Sequence, residues 1–506
     1  MAFGNLVRRD ANCLELLRSD KIPVTVFANE QVPIEPVAVA ELQSMLEVQA
    51  TATAMYQACP DQFHAEPHLQ KVAVTPDFHK ASGIPVGTVL QTEGFVIPQA
   101  IGNDINCGMR LHLTDLSVDK VESHADSLET TFREMYFEAG RRIPMQWQHR
   151  ESLLLDGIRG LFDTVDPRFD GGLWSYFHRT DRQQTLARID RAGSLPAAKI
   201  VGLESYLGEP DRVHRDSQIG SIGGGNHFVE IQRVERIIEP QIAHAWGLRP
   251  GQVTVMVHTG SVSIGYASGS HYRSQLRTHY PSSLPHPANE IYVLPLASPQ
   301  EGVFWDAMHN AANFAFANRM FLGLMAWASL EKVLGEITFP LLYDAPHNMI
   351  WPEQRDGRTV YVHRKGACPA RGFEQMEATP FAYYGEPVLV PGSMGASSYV
   401  LAGNGLENAI HSAAHGAGRQ ISRGASMKKY DREFDEFMKA FRVVTPVDFR
   451  RQEIARRRDI VAKKLADLRQ EAPFAYKGIG PVIETIESGG LARPVAELRP
   501  IMTIKG

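Results

Sequence analysis

The most apolar stretch of the sequence, MFLGLMAWASL at residues 320–330, lies between Arg319 and Glu331. It belongs to a longer helical pattern that covers residues 305–334. Its eleven residues would rise only about 16 Å in a helix, roughly half of the hydrocarbon thickness of a bilayer. The stretch therefore predicts a helix buried in the core of a large globular protein, and it argues against a membrane span.

The chain contains no internal repeat and no low-complexity linker, so residues 1–506 are predicted to form one domain. A helix is predicted at residues 41–58, and residues 72–105 have the pattern of turn-rich β structure with functional side chains at strand ends. Short apolar runs predict strands at residues 24–28, 253–257, 291–294 and 359–362. The polar, Arg- and Asp-rich residues 118–218 are expected to form a peripheral helical elaboration.

The formal net charge of −5 gives no global signal for nucleic-acid binding, so any such contact must come from local patches. Residues 415–464 are such a patch, with fourteen Lys or Arg against seven Asp or Glu. In this basic helical segment, taken to extend over residues 415–470, the apolar residues between Ile454 and Leu468 share one helical face. The segment is either a solvated helix face or a surface for a phosphate backbone, and the pattern alone leaves both interpretations open.

The four cysteines, Cys13, Cys59, Cys107 and Cys368, are widely spaced and form no CxxC pair. This spacing predicts neither a disulfide framework nor a zinc finger, and it favours a reducing compartment. The opening residues, MAFGNLVRRDANCLELL, lack the apolar core and the small-residue cleavage site of a signal peptide. We therefore expect a cytoplasmic protein that has no membrane partner.

Four segments place a possible metal ligand among glycines and small polar residues. They are GNDINCGM at residues 102–109, GGGNHFVE at 223–230, HTGS at 258–261 and DAPHN at 344–348. The Asp104 carboxylate, the Cys107 thiolate and three imidazoles form a mixed donor set that suits manganese, zinc or iron. Five candidate donors exceed the four of a closed structural zinc site and indicate a catalytic or dinuclear centre. Each segment alone also fits a structural turn or a packed side chain; their repetition favours the metal site.

Two further segments are suited to phosphate. PGSMGASSY at residues 391–399 offers backbone amides and hydroxyls without bulk, as an anion site requires. HSAAHGAGR at residues 411–419 places His415 between small residues, with Arg419 one helical turn onward. Such an imidazole can act as a nucleophile towards a phosphoryl group, although a Gly-rich turn with a buried histidine fits the segment equally well. No GxxxxGK[ST] motif is present, so any nucleotide that binds is not held by a P-loop.

These segments, in this order, resemble the RtcB family of RNA-splicing ligases. The resemblance is carried by GNDINCGM, GGGNHFVE, HTGS, HNMIW, RKGA, PGSMGASSYV, HGAGRQISR and the terminal IKG, and PDFH at residues 76–79 is similar to the family's PDVH-type element. It extends from the VTVFA strand to Gly506. The resemblance implies a mixed α/β fold, with one compact domain whose mixed sheets surround a deep, metal-lined cleft.

The resemblance also implies a site for two manganese ions. Asp104, Cys107 and His227 would hold one ion. Cys107 would bridge to the second ion, which His258 and His347 would complete.

GTP is the nucleotide that the resemblance implies. Glu230 would read the guanine edge, and His415 would become guanylated. The residues implied to form the nucleotide site are Asn226, His227, Phe228, Val229, Glu230, His347, Asn348, Pro391, Gly392, Ser393, Met394, Ser398, His415, Gly416, Ala417, Gly418, Tyr476 and Lys505.

The implied reaction starts with attack of His415 on the α-phosphorus of GTP, which releases pyrophosphate. GMP then passes to an RNA 3′-phosphate, formed where necessary by opening of a 2′,3′-cyclic phosphate. The 5′-hydroxyl of the second RNA end finally displaces GMP. RNA with these ends is the implied partner, in RNA repair or tRNA splicing, and the sequence does not identify an activating protein.

Three departures from the family pattern concern the RNA-facing part of the site. Val262 follows HTGS where the family usually has an arginine, so a bidentate phosphate contact is missing. The YKDI-like element is YKGI at residues 476–479, without its acidic residue, and PDFH continues as KASGIPVG. We expect guanylation to be intact and strand sealing to be slowed.

Three alternatives to a ligase follow from the same residues. A guanylyltransferase that caps 3′-phosphate ends of RNA or DNA without sealing them is favoured by Val262. A metal-dependent phosphoesterase that does not use GTP is disfavoured by the intact HGAGR and PGSM segments. A nucleic-acid-binding module with a relic site would be expected to have lost metal ligands, and none is lost here.

Overall fold

The computed structural model describes residues 5–138, 140–210, 212–355, 357–428, 432–448 and 451–506 of the chain. Its strands are, in chain order, β1 Leu6–Arg8, β2 Cys13–Leu16, β3 Val24–Phe27, β4 His68–Ser82, β5 Ile84–Glu93, β6 Phe95–Val96, β7 Gly108–Ser117, β8 Pro144–Met145, β9 His214–Arg215, β10 Phe228–Ile237, β11 Gln252–Thr259, β12 Leu294–Pro295, β13 Leu341–Pro346, β14 Asn348–Arg355, β15 Arg358–Lys365, β16 Ala367–Pro369, β17 Pro387–Val390, β18 Ser398–Gly403, β19 Ser412–Ala414, β20 Arg442–Val444 and β21 Ala492–Ile504. Its α-helices are α1 Pro36–Leu46, α2 Val48–Ala58, α3 Val118–Ser123, α4 Ala125–Arg133, α5 Trp147–Thr164, α6 Trp174–His178, α7 Arg182–Ala187, α8 Glu204–Leu207, α9 Pro240–Trp246, α10 Val262–Thr278, α11 Glu301–Leu334, α12 Arg423–Lys428, α13 Arg432–Ala440, α14 Gln452–Ala455, α15 Arg458–Arg469 and α16 Ile479–Ser488.

Two large sheets organise these elements. One has the strand order β1-β2-β3-β4-β5-β15-β14, and the other has the order β13-β7-β11-β10-β21-β18-β17 with β20 beside β21. Among the described strand pairs of these sheets, β3–β4 and β20–β21 are parallel and the others are antiparallel. The sheets and helices together confirm the mixed α/β fold.

The long helix α11 is the centre of the fold. Every residue from Asn310 to Leu330 is buried, which confirms the prediction of a core helix. Arg319 on this helix donates to Asp344 Oδ1 (2.8 Å) and to the carbonyl oxygens of Asn106 (2.6 Å) and Thr259 (3.0 Å). The helix therefore ties together three of the four segments that carry the predicted metal ligands. Neither α11 nor any other helix in the described residues is long and apolar enough to cross a bilayer.

The described residues between 118 and 218 are largely helical and pack against α11. Phe132 of α4, Leu154 of α5 and Trp174 of α6 are buried in the same hydrophobic cluster as Phe321 of α11. The ring centroids of Trp174 and Phe321 lie 5.0 Å apart in an edge-to-face arrangement. This packing stabilises the helix that positions the candidate site.

Three predicted elements differ substantially from those in the structure. The helix predicted at residues 41–58 is two helices, because the chain turns at Glu47, whose N–H bonds back to the Ser44 and Met45 carbonyls. The strand predicted at residues 291–294 is reduced to Leu294–Pro295, which pairs with the short strand β6. The helical face predicted around residues 454–468 is interrupted, because Arg457 has a ψ of 71°, outside the helical range.

Candidate functional site

Four adjacent strands of the second large sheet end at one place, and this is where the predicted metal ligands meet. Gly108 at the start of β7 pairs with Thr259 of β11 and with Pro346 of β13. Phe228 at the start of β10 pairs with His258 of β11. The residues at or next to these strand ends are Asp104, Cys107, His227, His258 and His347. Strand pairing therefore gathers side chains that are far apart in the sequence.

The distances within this group are short. Cys107 Sγ lies 3.3 Å from His227 Nε2 and 3.4 Å from His258 Nε2. His258 Nε2 lies 3.4 Å from His347 Nε2, and Asp104 Oδ2 lies 2.9 Å from His227 Nε2. The Cys107 thiol therefore stands between two imidazoles, and Asp104 and His347 stand at the two ends of the cluster.

The three imidazoles of the cluster are buried, and a backbone carbonyl orients one of them. The Nδ1 atom of His227 lies 3.0 Å from the Ile222 carbonyl oxygen, so Nδ1 is the donor and Nε2 is the nitrogen that faces Cys107. Burial lowers the pKa of His258 and His347 well below the usual histidine value. A Cβ atom at Gly260 would lie 2.7 Å from Asp104 Oδ1, so only glycine fits beside this carboxylate.

Two atoms of the cluster are buried without a hydrogen-bond partner among the described residues, Asp104 Oδ2 and His347 Nδ1. The Asp104 oxygen is close to His227 Nε2 but not in hydrogen-bond geometry with it. Buried polar atoms without partners are costly. A carboxylate, a thiol and three imidazoles that converge in this way fit one or two divalent cations of the borderline class.

The predicted nucleophile His415 lies beside this cluster. Its ring centroid is 4.6 Å from that of His347. Its Nδ1 atom lies 2.5 Å from Asp77 Oδ2, and its backbone N–H donates to the same oxygen over 3.2 Å. With Nδ1 engaged, Nε2 is the nitrogen left for a reaction in the cavity. Residues 415–421 are not helical, and the next helix begins at Arg423, so Arg419 does not follow His415 by a helical turn.

Asp77, the hydrogen-bond partner of His415, was not given a role by the sequence analysis. It is fully buried, and Thr75 Oγ1 donates to its other oxygen over 2.5 Å. Burial alone would raise the pKa of Asp77, but the charge and hydrogen bonds of His415 and Thr75 outweigh burial and lower it. Asp77 is therefore ionised and fixed. The PDFH segment, which contains Asp77 and is part of the family resemblance, could have indicated a functional role for this residue.

One cavity of about 310 Å³ connects His415 with the metal-type cluster, the group formed by Asp104, Cys107, His227, His258 and His347. The predicted residues that line it are Asp104, Cys107, Asn226, His227, Phe228, Glu230, His258, His347, Asn348, Pro391, Gly392, Ser393, Met394, His415, Gly416, Ala417, Gly418, Tyr476 and Lys505. Val229 and Ser398 do not line it. Val229 is in the apolar core behind the wall, and Ser398 accepts a hydrogen bond from Gln232 Nε2 over 3.0 Å.

Glu230 is a polar residue in the lining of the cavity. Thr503 donates to Glu230 Oε1 over 2.5 Å, and Gln232 donates to Oε2 over 2.7 Å. Burial nevertheless raises the pKa of Glu230 to about 7. Lys505 lies in the same region, where its ammonium donates to the Gly225 carbonyl oxygen over 2.8 Å and burial lowers its pKa to about 8.

A group of charged residues closes another side of the cavity. Tyr476 donates a short hydrogen bond to Glu471, and Arg419 lies 3.2 Å from the Tyr476 hydroxyl and 3.4 Å from Glu471. Arg423 lies 3.6 Å from the same carboxylate. Glu471 is buried. It could not be predicted from the sequence, because it lies outside the segments that carry the family resemblance.

Val262, the main departure from the family pattern, lies at the start of α10. Its φ of 51° is in the left-handed region, which a β-branched residue rarely adopts. Its backbone N–H donates to Asp104 Oδ1 over 2.8 Å. The backbone at this position thus supports a proposed metal ligand, whereas the side chain does not line the cavity.

Comparison with known proteins shows the family of this chain. A family model described as tRNA-splicing ligase RtcB matches residues 62–506. A tRNA-splicing ligase RtcB from Thermococcus kodakarensis is 34% identical over 460 residues, which cover 86% of this chain and 87% of that protein. The protein of the same name from Nanoarchaeum equitans is 32% identical over 455 residues, or 87% and 88% of the two chains. The one from Pyrococcus horikoshii is 33% identical over 463 residues, which cover 88% of this chain but 49% of that protein, about half of its length. The chain therefore belongs to the RtcB family.

Proposed function

We propose that the protein is a GTP- and manganese-dependent RNA ligase that joins 3′-phosphate or 2′,3′-cyclic phosphate ends to 5′-hydroxyl ends through a guanylated His415. The observation that carries this proposal is the position of His415. A buried carboxylate, Asp77, holds its Nδ1 atom, and its ring lies 4.6 Å from His347 at the edge of the metal-type cluster. The names of the relatives support RNA joining, with tRNA splicing as the setting.

The donor set fits the two manganese ions. Asp104, Cys107 and His227 would hold one ion, and Cys107, His258 and His347 would hold the other. The unpartnered Asp104 Oδ2 and the thiol between two imidazoles support this assignment. Bound manganese would neutralise phosphate charge and lower the pKa of a coordinated hydroxyl group.

GTP would bind with its base at Glu230. Guanine presents the N1–H and 2-amino donors to a carboxylate, whereas adenine has no donor at N1, so ATP would form fewer hydrogen bonds to Glu230 and would be disfavoured. The ammonium of Lys505 and the hydroxyl of Tyr476 lie in the same cavity and would contact the nucleotide. The loop from Pro391 to Met394 supplies backbone amides for phosphate. Val229 and Ser398 would support the nucleotide site without lining the cavity. Ser398 would do so through Gln232, which hydrogen-bonds to both Ser398 and Glu230.

The first covalent step uses His415. Its Nε2 atom attacks the α-phosphorus of GTP, an N–P bond forms, and the bond to the pyrophosphate oxygen breaks. Asp77 accepts a hydrogen bond from the Nδ1–H group of His415 and balances the positive charge that develops on the ring. An RNA 3′-phosphate oxygen then displaces the imidazole and takes GMP. The 5′-hydroxyl of the second strand attacks that 3′-phosphorus, and GMP leaves.

Product analysis tests this proposal. The purified protein is given manganese, GTP, a strand with a 3′-phosphate and a strand with a 5′-hydroxyl. We expect a joined product that depends on all four, and a guanylated 3′ end when the 5′-hydroxyl strand is omitted. Joining without GTP, or with His415→Ala, would contradict the proposal.

Val262 favours a second candidate, a guanylyltransferase that caps 3′-phosphate ends of RNA or DNA without efficient sealing. The side chain at this position carries no charge and does not line the cavity, so it offers nothing to a phosphate. The same product analysis separates the two functions. Accumulation of the guanylated 3′ end in the presence of an excess of 5′-hydroxyl strand would identify a capping enzyme.

We further propose that residues 1–506 act as one catalytic domain, with residues 118–218 as an elaboration and residues 415–470 as a basic helical segment. The four cysteines are free thiols, which favours the cytoplasm as its location. Limited proteolysis tests the domain assignment, because one catalytic unit should resist cleavage at both ends of residues 118–218 until it unfolds as a whole.

A further inference from the structure

Lys477 is a buried lysine close to the catalytic cavity that has no part in the reaction described above. It belongs to the YKGI element and follows Tyr476, but it is only 3% exposed and does not line the cavity. Lysine is almost never fully buried unless its ammonium group is paired. The contacts of this ammonium group therefore indicate what the residue does.

The ammonium group of Lys477 holds the segment that carries Asp77. Its Nζ atom donates to the Phe78 carbonyl oxygen over 2.6 Å and to the Pro76 carbonyl oxygen over 3.3 Å. The Asp77 carbonyl oxygen between them accepts from His79 Nδ1 over 2.7 Å. Three consecutive carbonyl groups are thus hydrogen-bonded, and the backbone on both sides of Asp77 is fixed.

The backbone of Lys477 is joined to the segment that follows His415. Its N–H donates to the Gly418 carbonyl oxygen over 2.9 Å. Gly418 in turn packs against the carbonyl group of Asp77. Lys477 therefore links the two segments that carry the His415–Asp77 pair, through its N–H on one side and its ammonium group on the other.

The charge of Lys477 acts on the same pair. Among the described residues its ammonium group forms no ion pair, and the charges of Asp77 and Glu35 act on it from a greater distance. Burial lowers the pKa of Lys477 to about 8, so most of it is protonated at neutral pH. A positive charge near a buried carboxyl group favours the ionised carboxylate. Lys477 thus supports the charge state in which Asp77 accepts a hydrogen bond from His415.

We propose that Lys477 is a positioning residue for guanylation. It fixes the backbone of residues 76–78, so that the Asp77 carboxylate holds the His415 imidazole with Nε2 towards the cavity. The inference rests on the proposed function and adds to it a residue that lies outside the cavity lining. A displacement of a reacting group by about 1 Å costs about a hundredfold in rate. Loss of the ammonium group should therefore slow the attack on GTP without weakening its binding.

The test uses the full chain and the variant Lys477→Met, which removes the ammonium group and keeps an unbranched side chain. The single-turnover rate of GMP transfer to His415 should fall roughly ten- to hundredfold. The GTP concentration that gives half of the maximal rate and the manganese content should stay unchanged. Because Lys477 acts through Asp77, the same substitution should have little further effect in Asp77→Asn. An equal loss in both backgrounds, or an unchanged rate in Lys477→Met, would overturn the assignment.

Thr485→Val is the matched control for a loss of stability in the same part of the fold. Thr485 is buried in α16, where its hydroxyl donates to the Pro481 carbonyl oxygen over 2.8 Å and accepts the Asn29 N–H over 3.2 Å. This variant should unfold at a lower temperature than wild type and guanylate at the wild-type rate. If Lys477→Met does not fold, Lys477→Gln, whose amide can still donate to a carbonyl group, replaces it in each measurement.

Hydrogen exchange of the nucleotide-free protein gives a readout that does not depend on activity. The His415 N–H donates to Asp77 Oδ2, so the peptide that contains His415 should exchange faster in Lys477→Met than in wild type or Thr485→Val. Equal protection in all three proteins would overturn the role of Lys477. Missing GMP transfer in the wild type would instead count against the proposed function, and the exchange rates would still decide whether Lys477 holds the pair.

Discussion

The Nδ1 atom of His415 and the Oδ2 atom of Asp77 lie 2.5 Å apart, and Asp77 has no exposure to solvent. The same carboxylate receives the backbone N–H of His415 and, on its other oxygen, the hydroxyl of Thr75. Three donors thus fix one carboxylate, which in turn fixes one imidazole. A Cβ atom at Gly418 would lie 2.3 Å from the Asp77 carbonyl oxygen, so the backbone at Gly418 packs closely against the backbone at Asp77.

Asp77→Asn should reduce guanylation of His415 by roughly 10²- to 10⁴-fold, because an amide can donate to Nδ1 and stabilise the wrong tautomer of the imidazole. The rate is measured by transfer of label from α-labelled GTP to the protein. Manganese content should stay unchanged, since Asp77 is not among the proposed ligands. Asp166→Asn, a change at an exposed aspartate, serves as the control. A normal rate in Asp77→Asn would show that the carboxylate does not position the nucleophile.

Cys107→Ala should remove both manganese ions, because Cys107 is the proposed bridge between them. Its sulfur lies 3.3 Å from His227 Nε2 and 3.4 Å from His258 Nε2, one proposed ligand of each ion. Metal content after gel filtration measures this loss. Cys368→Ala is the matched control, since Cys368 is equally buried but lies outside the cluster. Near-stoichiometric manganese in Cys107→Ala would mean that the bridging assignment is wrong.

Glu230 should make the stability of the nucleotide-free protein depend on pH. Its pKa is about 7 in the folded protein and near the usual 4.5 when unfolded, so the folded state holds the extra proton between these values. Stability is therefore lost as pH rises from 4.5 towards 7, by roughly 3 kcal/mol in total. The free energy of unfolding of Glu230→Gln, relative to wild type, should rise by roughly 2–3 kcal/mol between pH 5 and pH 8. A difference that does not change with pH would contradict the raised pKa.

Val262→Arg should raise strand sealing with little effect on guanylation of His415. A guanidinium at a partly desolvated phosphate site contributes about 1.5–3 kcal/mol, which corresponds to roughly a ten- to hundredfold change in rate. The substitution should be tolerated, because an unbranched Cβ is less strained than valine at a φ of 51°. Sealing and self-labelling are measured separately on the same preparations. If the wild type seals strands rapidly and Val262→Arg does not increase the rate, valine at this position does not slow sealing.

The core helix and the ligand segments could be predicted from the sequence because each depends on local pattern. The apolar run around residues 320–330 and the glycines beside Cys107 are such patterns. Spatial relations could not be predicted in this way. Asp77 meets His415 across 338 residues because β4 passes beneath the HGAGR segment. Glu471 reaches the cavity only through the fold of the C-terminal helices, and no pattern within the segment marks it.

The most direct test of the central claim is intact-protein and peptide mass analysis after incubation with α-labelled GTP and manganese. The account predicts one GMP on the wild-type chain, carried by the peptide that contains His415 through an acid-labile, base-stable phosphoramidate bond. His415→Ala should take up no label and retain its manganese, which separates loss of the nucleophile from loss of the site. Label on another residue, or label that persists in His415→Ala, would contradict the account.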